Sequence, residues 1–270
     1  MAIITLTTDW NKNDYYTGTV KGKILSHDSS VNIIDISHQV QPFNLMQAAF
    51  IVRNCCFNFP ENTVHIIAVN AALGPKRSLL VFEIKGQIFI ASDNGIVGLI
   101  SGEKPDKIYK VKKSDKGINF LSLDIFITTT INLIKKVDRD TFLESVSQYD
   151  SQIPYRPVIE KNLINGSVIY VDSFSNAITN ISKETFEKVG QGKPFEIFIQ
   201  SNHYKLDKLN STYSDSVSGE LLALFNSIGL LEIAINNGYA ADLLNLVINS
   251  AIRIKFYDEK PGSKLTLTGG

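Results

Sequence analysis

The sequence predicts an α/β protein: an N-terminal α/β sandwich-like domain with a mostly parallel sheet, then a β-rich, barrel-like C-terminal domain. Three observations predict it. Four apolar runs end in polar clusters, at Thr7-Thr8-Asp9, at Asn70, at Ser92-Asp93-Asn94-Gly95 and at Asp172. Buried strands that end this way collect ligands outside their carboxyl ends. In the first half these runs alternate with helical patterns, as expected of βαβ units. Beyond the middle of the chain, short strands with Gly and Asn turns take over.

The elements follow in order. Met1 leads into a strand that reaches Asp9, and Tyr15 to His27 reads as a helix with Asp14 placed to cap it. Val31 to Ile36 is a strand, and Phe43 to Phe57 is a helix opened by Pro42. A strand to Asn70, a Gly74-Pro75 turn and a hairpin-like pair, Leu79 to Ile84 and Ile88 to Ala91, come next. Asp124 to Lys136 is a helix despite Thr128-Thr129-Thr130, a poor helix former. Pro154 and Pro157 interrupt the pattern, so residues 153–162 read as a linker between domains at 1–152 and 163–270. Past it the expected strands are Ser167 to Asp172, Phe195 to Gln200, Leu230 to Ile235 and Ala251 to Tyr257.

A chain of 270 residues with 44% hydrophobic content can hold one large core or two modest ones. Its 27 basic and 27 acidic residues are scattered, which argues against nucleic acid or an anionic membrane as partner. Adjacent Cys55 and Cys56 fit neither a disulfide nor a metal spacing and read as packing residues. No apolar run approaches the roughly 20 residues of a membrane span, so a soluble, cytoplasmic protein is expected. His27, His38, His65 and His203 show no metal spacing, and no metal site is expected. His65, within a strand, reads as a satisfied core histidine.

Six blocks carry a resemblance: Thr7 to Gly18 with Lys21-Gly22, Asp35-Ile36-Ser37-His38, Phe59 to His65, Asp93-Asn94-Gly95, Asp172 to Ile181, and Asn226 to Ala234. In this order they resemble the S-adenosylmethionine hydroxide adenosyltransferase family, which includes adenosine-forming S-adenosylmethionine hydrolases and the related fluorinase and chlorinase. The resemblance implies an α/β domain and a barrel-like domain, assembled as a homotrimer with sites between one subunit's N-domain and the next subunit's C-domain. It implies displacement at the ribose 5′ carbon with methionine leaving, a reaction helped by alignment of the reacting groups. No cofactor is implied beyond S-adenosylmethionine as substrate or ligand.

Residue by residue, the resemblance implies that Asp9 accepts both ribose hydroxyls, with Asp14 nearby and Phe43 walling the ribose. Asp172 would pair with the ammonium of the methionine moiety and Ser227 would sit near its carboxylate. Phe174, Asn176 and Tyr213, with backbone groups near Ile235 and Asn237, would hold adenine.

The departures fall where water would be activated. The hydrolases carry an aspartate at the position of Asn70, paired with an arginine matched by Arg77, and a histidine at the position of Leu121. An amide and a leucine cannot accept a proton near neutral pH, so base help worth about 10²–10⁴ in rate would be lost. Arg77 would then stand as an uncompensated charge. Ser122 falls at the position of a halide-contacting serine in the fluorinase; alone it reads as a helix cap. The expectation is an S-adenosylmethionine- or adenosine-binding protein with weakened or lost activity. The alternative is an active hydrolase or halogenase-like enzyme with another activating arrangement.

Overall fold

The computed structural model describes residues 1–74, 77–102, 104–112, 121–201 and 204–259. The chain divides into two compact units, Met1–Pro154 and Tyr155–Gly270.

In the first unit, β1 (Ile3–Thr8), α1 (Tyr15–His27), β2 (Asn32–Ser37), α2 (Leu45–Cys55) and β3 (Val64–Ala68) lead to the hairpin β4 (Leu79–Ile84) and β5 (Gln87–Ser92). Then follow α3 (Ile96–Ser101), β6 (Lys107–Val111), α4 (Leu121–Ile134), α5 (Arg139–Phe142) and β7 (Leu143–Ser145). The strand order is β2-β1-β3-β5-β4-β6-β7. Strands β2, β1, β3 and β5 are mutually parallel and the other pairs antiparallel, so the sheet is mixed and its parallel half aligns four carboxyl ends on one edge.

Both faces of this sheet are covered. Leu45, Ala48, Ala49 and Val52, a single helical stripe, pack α2 beside α3 over Ile67, Val69 and Phe82. On the other face Val20 and Ile24 of α1 join Phe126, Ile127 and Ile131 of α4 over Ile4, Leu6 and Ile66. Ile66 and Ile67 thus serve opposite cores, and β3 is buried along its whole length, as a central parallel strand requires. His65 is satisfied there: Thr5 Oγ1 is 2.7 Å from Nδ1, Gln87 Oε1 is 3.2 Å from Nε2, and the ring stacks on Phe89.

Two helix expectations shift. α2 is shorter than 43–57: Phe43 has φ 67° and lies outside it, the Asn44 side chain accepts from Gln47 N at 3.0 Å as the cap, and Cys56–Asn58 tighten into a 3₁₀ turn. α4 begins at Leu121 and absorbs the threonine run, because Thr129 and Thr130 are buried and the Thr130 hydroxyl donates to Phe126 O at 2.8 Å. Cys56 is buried and Cys55 half-buried, and both are free.

The second unit contains β8 (Val158–Glu160), β9 (Leu163–Val171), β10 (Ala177–Ser182), α6 (Lys183–Gly190), β11 (Phe195–Ile199), β12 (Tyr204–Leu206), β13 (Leu221–Phe225), β14 (Leu230–Ile235), α7 (Ala240–Leu244) and β15 (Ala251–Phe256). Its antiparallel sheet runs β12-β11-β15-β9-β10-β14-β13, nearly closed and barrel-like around Ile164, Val168, Ile181, Ile197, Leu231 and Ile254. The first half of β9 pairs with β15 and its second half with β10. Gly166 marks the change of partner: a Cβ there would stand 2.4 Å from Ile181 Cγ1, so no side chain fits at this corner.

The stretch expected as a linker, 153–162, is partly sheet. Val158–Glu160 pairs with β9. Val158 and Ile159 stay exposed, so backbone bonding and not apolar burial holds β8, which is why hydropathy does not reveal it.

Candidate functional site

Asp9 follows β1 at the carboxyl edge of the parallel strands. Its Oδ2 accepts the backbone N–H groups of Phe43 and Asn70, both at 3.0 Å, from chain segments 34 and 61 residues away. Both donors have left-handed backbones, φ 67° at Phe43 and 48° at Asn70. Such conformations are costly for non-glycine residues and gather at ligand sites. Oδ1 accepts no hydrogen bond from the described residues. The Phe43 ring is 71% exposed and is not a core residue.

Asn70 is the hub of the neighbouring strand end. Its Oδ1 and its carbonyl oxygen accept from Arg77 Nη1 at 3.2 and 3.3 Å, and the carbonyl also accepts from Asn94 Nδ2 at 3.2 Å. The Arg77 contact therefore exists with an amide in place of a carboxylate. No carboxylate among the described residues forms an ion pair with Arg77; its charge acts only weakly on Asp93, at the end of the adjacent β5. Burial pushes the Asp93 carboxyl above the usual carboxylate range, against the Asp150 N–H that it accepts at 2.8 Å and the charges of Lys110 and Arg77. Asp93 belongs to the Asp93-Asn94-Gly95 block, yet its raised carboxyl was not read from the sequence, because burial at the end of β5 decides it.

The Asp35-Ile36-Ser37-His38 block also reaches this edge. Buried His38 places Nδ1 2.8 Å from Thr8 Oγ1 and Nε2 3.0 Å from Asp35 Oδ1, the latter contact too bent for a good hydrogen bond. Burial pushes the Asp35 carboxyl up, but the Lys21 hydrogen bond and the facing His38 ring outweigh it and hold the group below its ordinary value. Asp14 occupies the N-cap of α1 but makes no capping hydrogen bond with its side chain, correcting that expectation. It is exposed. Leu121 and Ser122 open α4; their side chains lie outside the described residues, as does His203.

In the second unit, Asp172, Phe174, Asn176, Tyr213, Ile235 and Asn237 line one open cavity of about 620 Å³, together with Asn236, Gly238 and Tyr239. All six sequence-chosen residues of that set are brought together. Asp172 also holds its own turn: Oδ1 accepts from Phe174 N and Asn176 N at 2.9 and 2.8 Å, and Oδ2 from Asn176 Nδ2 at 3.1 Å. Phe174 and Tyr239 are 71% and 65% exposed, rings held out over the cavity and free to stack on a flat ligand.

Ser227 is not in the cavity lining. It sits in the exposed β13–β14 turn, where Asn226 Oδ1 accepts from Ile228 N and Leu230 N at 3.2 and 3.1 Å. Sequence reasoning missed Glu232, which is only 3% exposed and accepts the Tyr213 hydroxyl at 2.6 Å and Asn226 Nδ2 at 3.1 Å. It also missed Asn236, Gly238 and Tyr239, although Asn236-Asn237-Gly238 is a readable turn signal.

Among the described residues, no group of three or more His, Cys, Asp or Glu is arranged to hold a metal ion. No helix among them is long and apolar enough to cross a membrane.

Comparison with known proteins places these features. The chain is 28% identical over 261 residues to an (R)-S-adenosyl-L-methionine hydrolase of Methanocaldococcus jannaschii, covering 90% of this chain and 92% of that protein. It is 23% identical to a fluorinase of Actinopolyspora mzabensis, with 93% and 96% covered. The crystal structure of an uncharacterized conserved protein from Thermotoga maritima superposes with a TM-score of 0.83 at 29% identity, covering 94% of this chain and 99% of that one. The N-terminal domain model of one family matches residues 4–142 and its C-terminal domain model residues 166–253, so the chain belongs to the SAM hydroxide adenosyltransferase family.

Proposed function

We propose that this chain binds S-adenosylmethionine or adenosine, and that displacement at ribose C5′, giving adenosine and methionine, is weakened or lost in it. The observation that carries the reading is the cavity lined by Asp172, Phe174, Asn176, Tyr213, Ile235 and Asn237. It offers aromatic faces, amides and a carboxylate and no basic side chain, which suits a nucleoside bearing positive charge. The open Oδ1 of Asp9 supports a hydroxyl acceptor in the first unit. Weakened activity rests on Asn70, an amide where a base would serve. Calorimetry with each ligand and chromatography of the reaction mixture test both parts. Binding of neither ligand overturns the ligand reading, and rapid adenosine release overturns the weakened one.

One observation favours the alternative, an active adenosyl-transferring enzyme with a different arrangement. Asp93 supplies a carboxyl group with a raised pKa in the electrostatic reach of Arg77. Adenosine formation that disappears in Asp93→Asn would support that reading.

The proposal extends to a homotrimer working in the cytoplasm, in which the first unit of one subunit and the second unit of the next complete each site. Sedimentation as a monomer at micromolar concentration would contradict the assembly.

A further inference from the structure

Glu232 is a buried carboxylate that no part of the reading above uses. It lies on β14, whose Leu231 and Ile233 point into the barrel core, so Glu232 stands on the opposite face with Ala234, opposite Leu224 of β13. A carboxylate at 3% exposure needs compensation. Among the described residues it has no salt-bridge partner; two neutral donors satisfy it, the Tyr213 hydroxyl on Oε1 at 2.6 Å and Asn226 Nδ2 on Oε2 at 3.1 Å.

Each donor belongs to a different part of the site. Tyr213 is cavity wall. Asn226 frames the Ser227 turn, and its amide is locked in orientation because its oxygen already accepts Ile228 N and Leu230 N. One carboxylate thus ties the wall to the turn. It also sets the local field. Burial, then the hydrogen bond to Glu232 and the charges of Glu232 and Asp172, push the Tyr213 phenol well above its ordinary pKa, placing both carboxylates in electrostatic reach of one cavity hydroxyl. None of the lining residues is Lys, Arg or His, so this negative field is not cancelled at the cavity wall.

We propose that Glu232 is a positioning residue that clamps Tyr213 and the Ser227 turn in place and, with Asp172, makes the cavity select a cationic adenosyl ligand over a neutral one. The inference rests on the ligand reading above and names the residue that gives it charge selectivity.

The test compares S-adenosylmethionine, which is cationic, with adenosine, which is neutral, by calorimetry on wild-type protein and Glu232→Gln. The expected result is a fall of tenfold or more in the ratio of the two affinities, with the melting temperature within a few degrees of wild type. Equal losses for both ligands would mean that Glu232 only supports the fold, and the inference would be overturned. Should Glu232→Gln fail to fold, Glu232→Leu/Tyr213→Phe removes both ends of the shorter hydrogen bond together and leaves only Asn226 Nδ2 without its acceptor. The same fall in the ratio is expected there, and an unchanged ratio overturns the proposal. Failure of wild-type protein to bind either ligand is a separate outcome: it removes the ligand reading itself, and this inference with it.

Discussion

Two aspartates, Asp9 in the first unit and Asp172 in the second, each accept two backbone N–H groups, but at different range. Asp172 bonds residues two and four positions away and shapes a single turn. Asp9 bonds residues 34 and 61 positions away and fastens two strand ends and the entry to α2 at one carboxylate. The same chemistry is therefore local in one place and topological in the other. A carboxylate that is a long-range staple cannot be altered without altering the fold, whereas a local one can.

Replacing both tests this directly. Asp9→Ala leaves two left-handed N–H groups without their charged acceptor, and a loss of about 4 kcal/mol is expected in urea unfolding, together with loss of the thermal shift produced by either ligand. A loss under about 1 kcal/mol would break the comparison.

A second large effect belongs to the core beneath that edge. Burial lowers the His65 pKa from 6.5 to about 4, against the Gln87 hydrogen bond. Because the folded value lies below the unfolded one, its stabilising share is complete above pH 6.5 and is lost as pH falls from 6.5 toward 4. The expected loss is about 3 kcal/mol. Urea unfolding across that window should show it, and His65→Phe should flatten it.

Much of this was legible in the sequence, and the exceptions have causes. Tyr15–His27, β11, β14 and β15 stood out because burial is one-sided or complete and the apolar spacing records it. Strand β6 did not: Lys107-Ile108-Tyr109-Lys110-Val111 carries two charges and only Ile108 is buried. Strand β10 escaped because Thr179 and Asn180 interrupt its apolar run, Asn180 giving its side chain to Ser167 N and Tyr155 O. Helix α6 was missed too, although Ser182 caps it through Thr185 N. At the site, strand-end polar residues were readable because their position follows from strand direction. Glu232 was not, since its burial depends on Tyr213, 19 residues away. The reach of Arg77 to Asp93 depends likewise on β3 and β5 lying side by side.

The third effect concerns chemistry at the staple. Asn70→Asp places a carboxylate against Arg77, whose Nη1 already lies 3.2 Å from Oδ1. Adenosine release from S-adenosylmethionine should rise about 10²-fold, and Leu121→His should add to it. Chromatography after timed incubation reads the outcome; no gain would assign proton handling to another group, with Asp93 the first to examine. The smallest effect is the local counterpart of the first: Asp172→Ala should cost about 1.5 kcal/mol, because only the β9–β10 turn relaxes. A loss matching that of Asp9→Ala would show that range does not matter here.

The division of labour within Asp9 also bears on readiness. Both strained backbones hang on Oδ2, so the hydroxyl proposed for Oδ1 would displace neither amide. An acceptor held this way is pre-organised, which lowers the ordering cost of any bond made to it. At this edge the fold itself, and not an arriving partner, fixes the aim of the carboxylate.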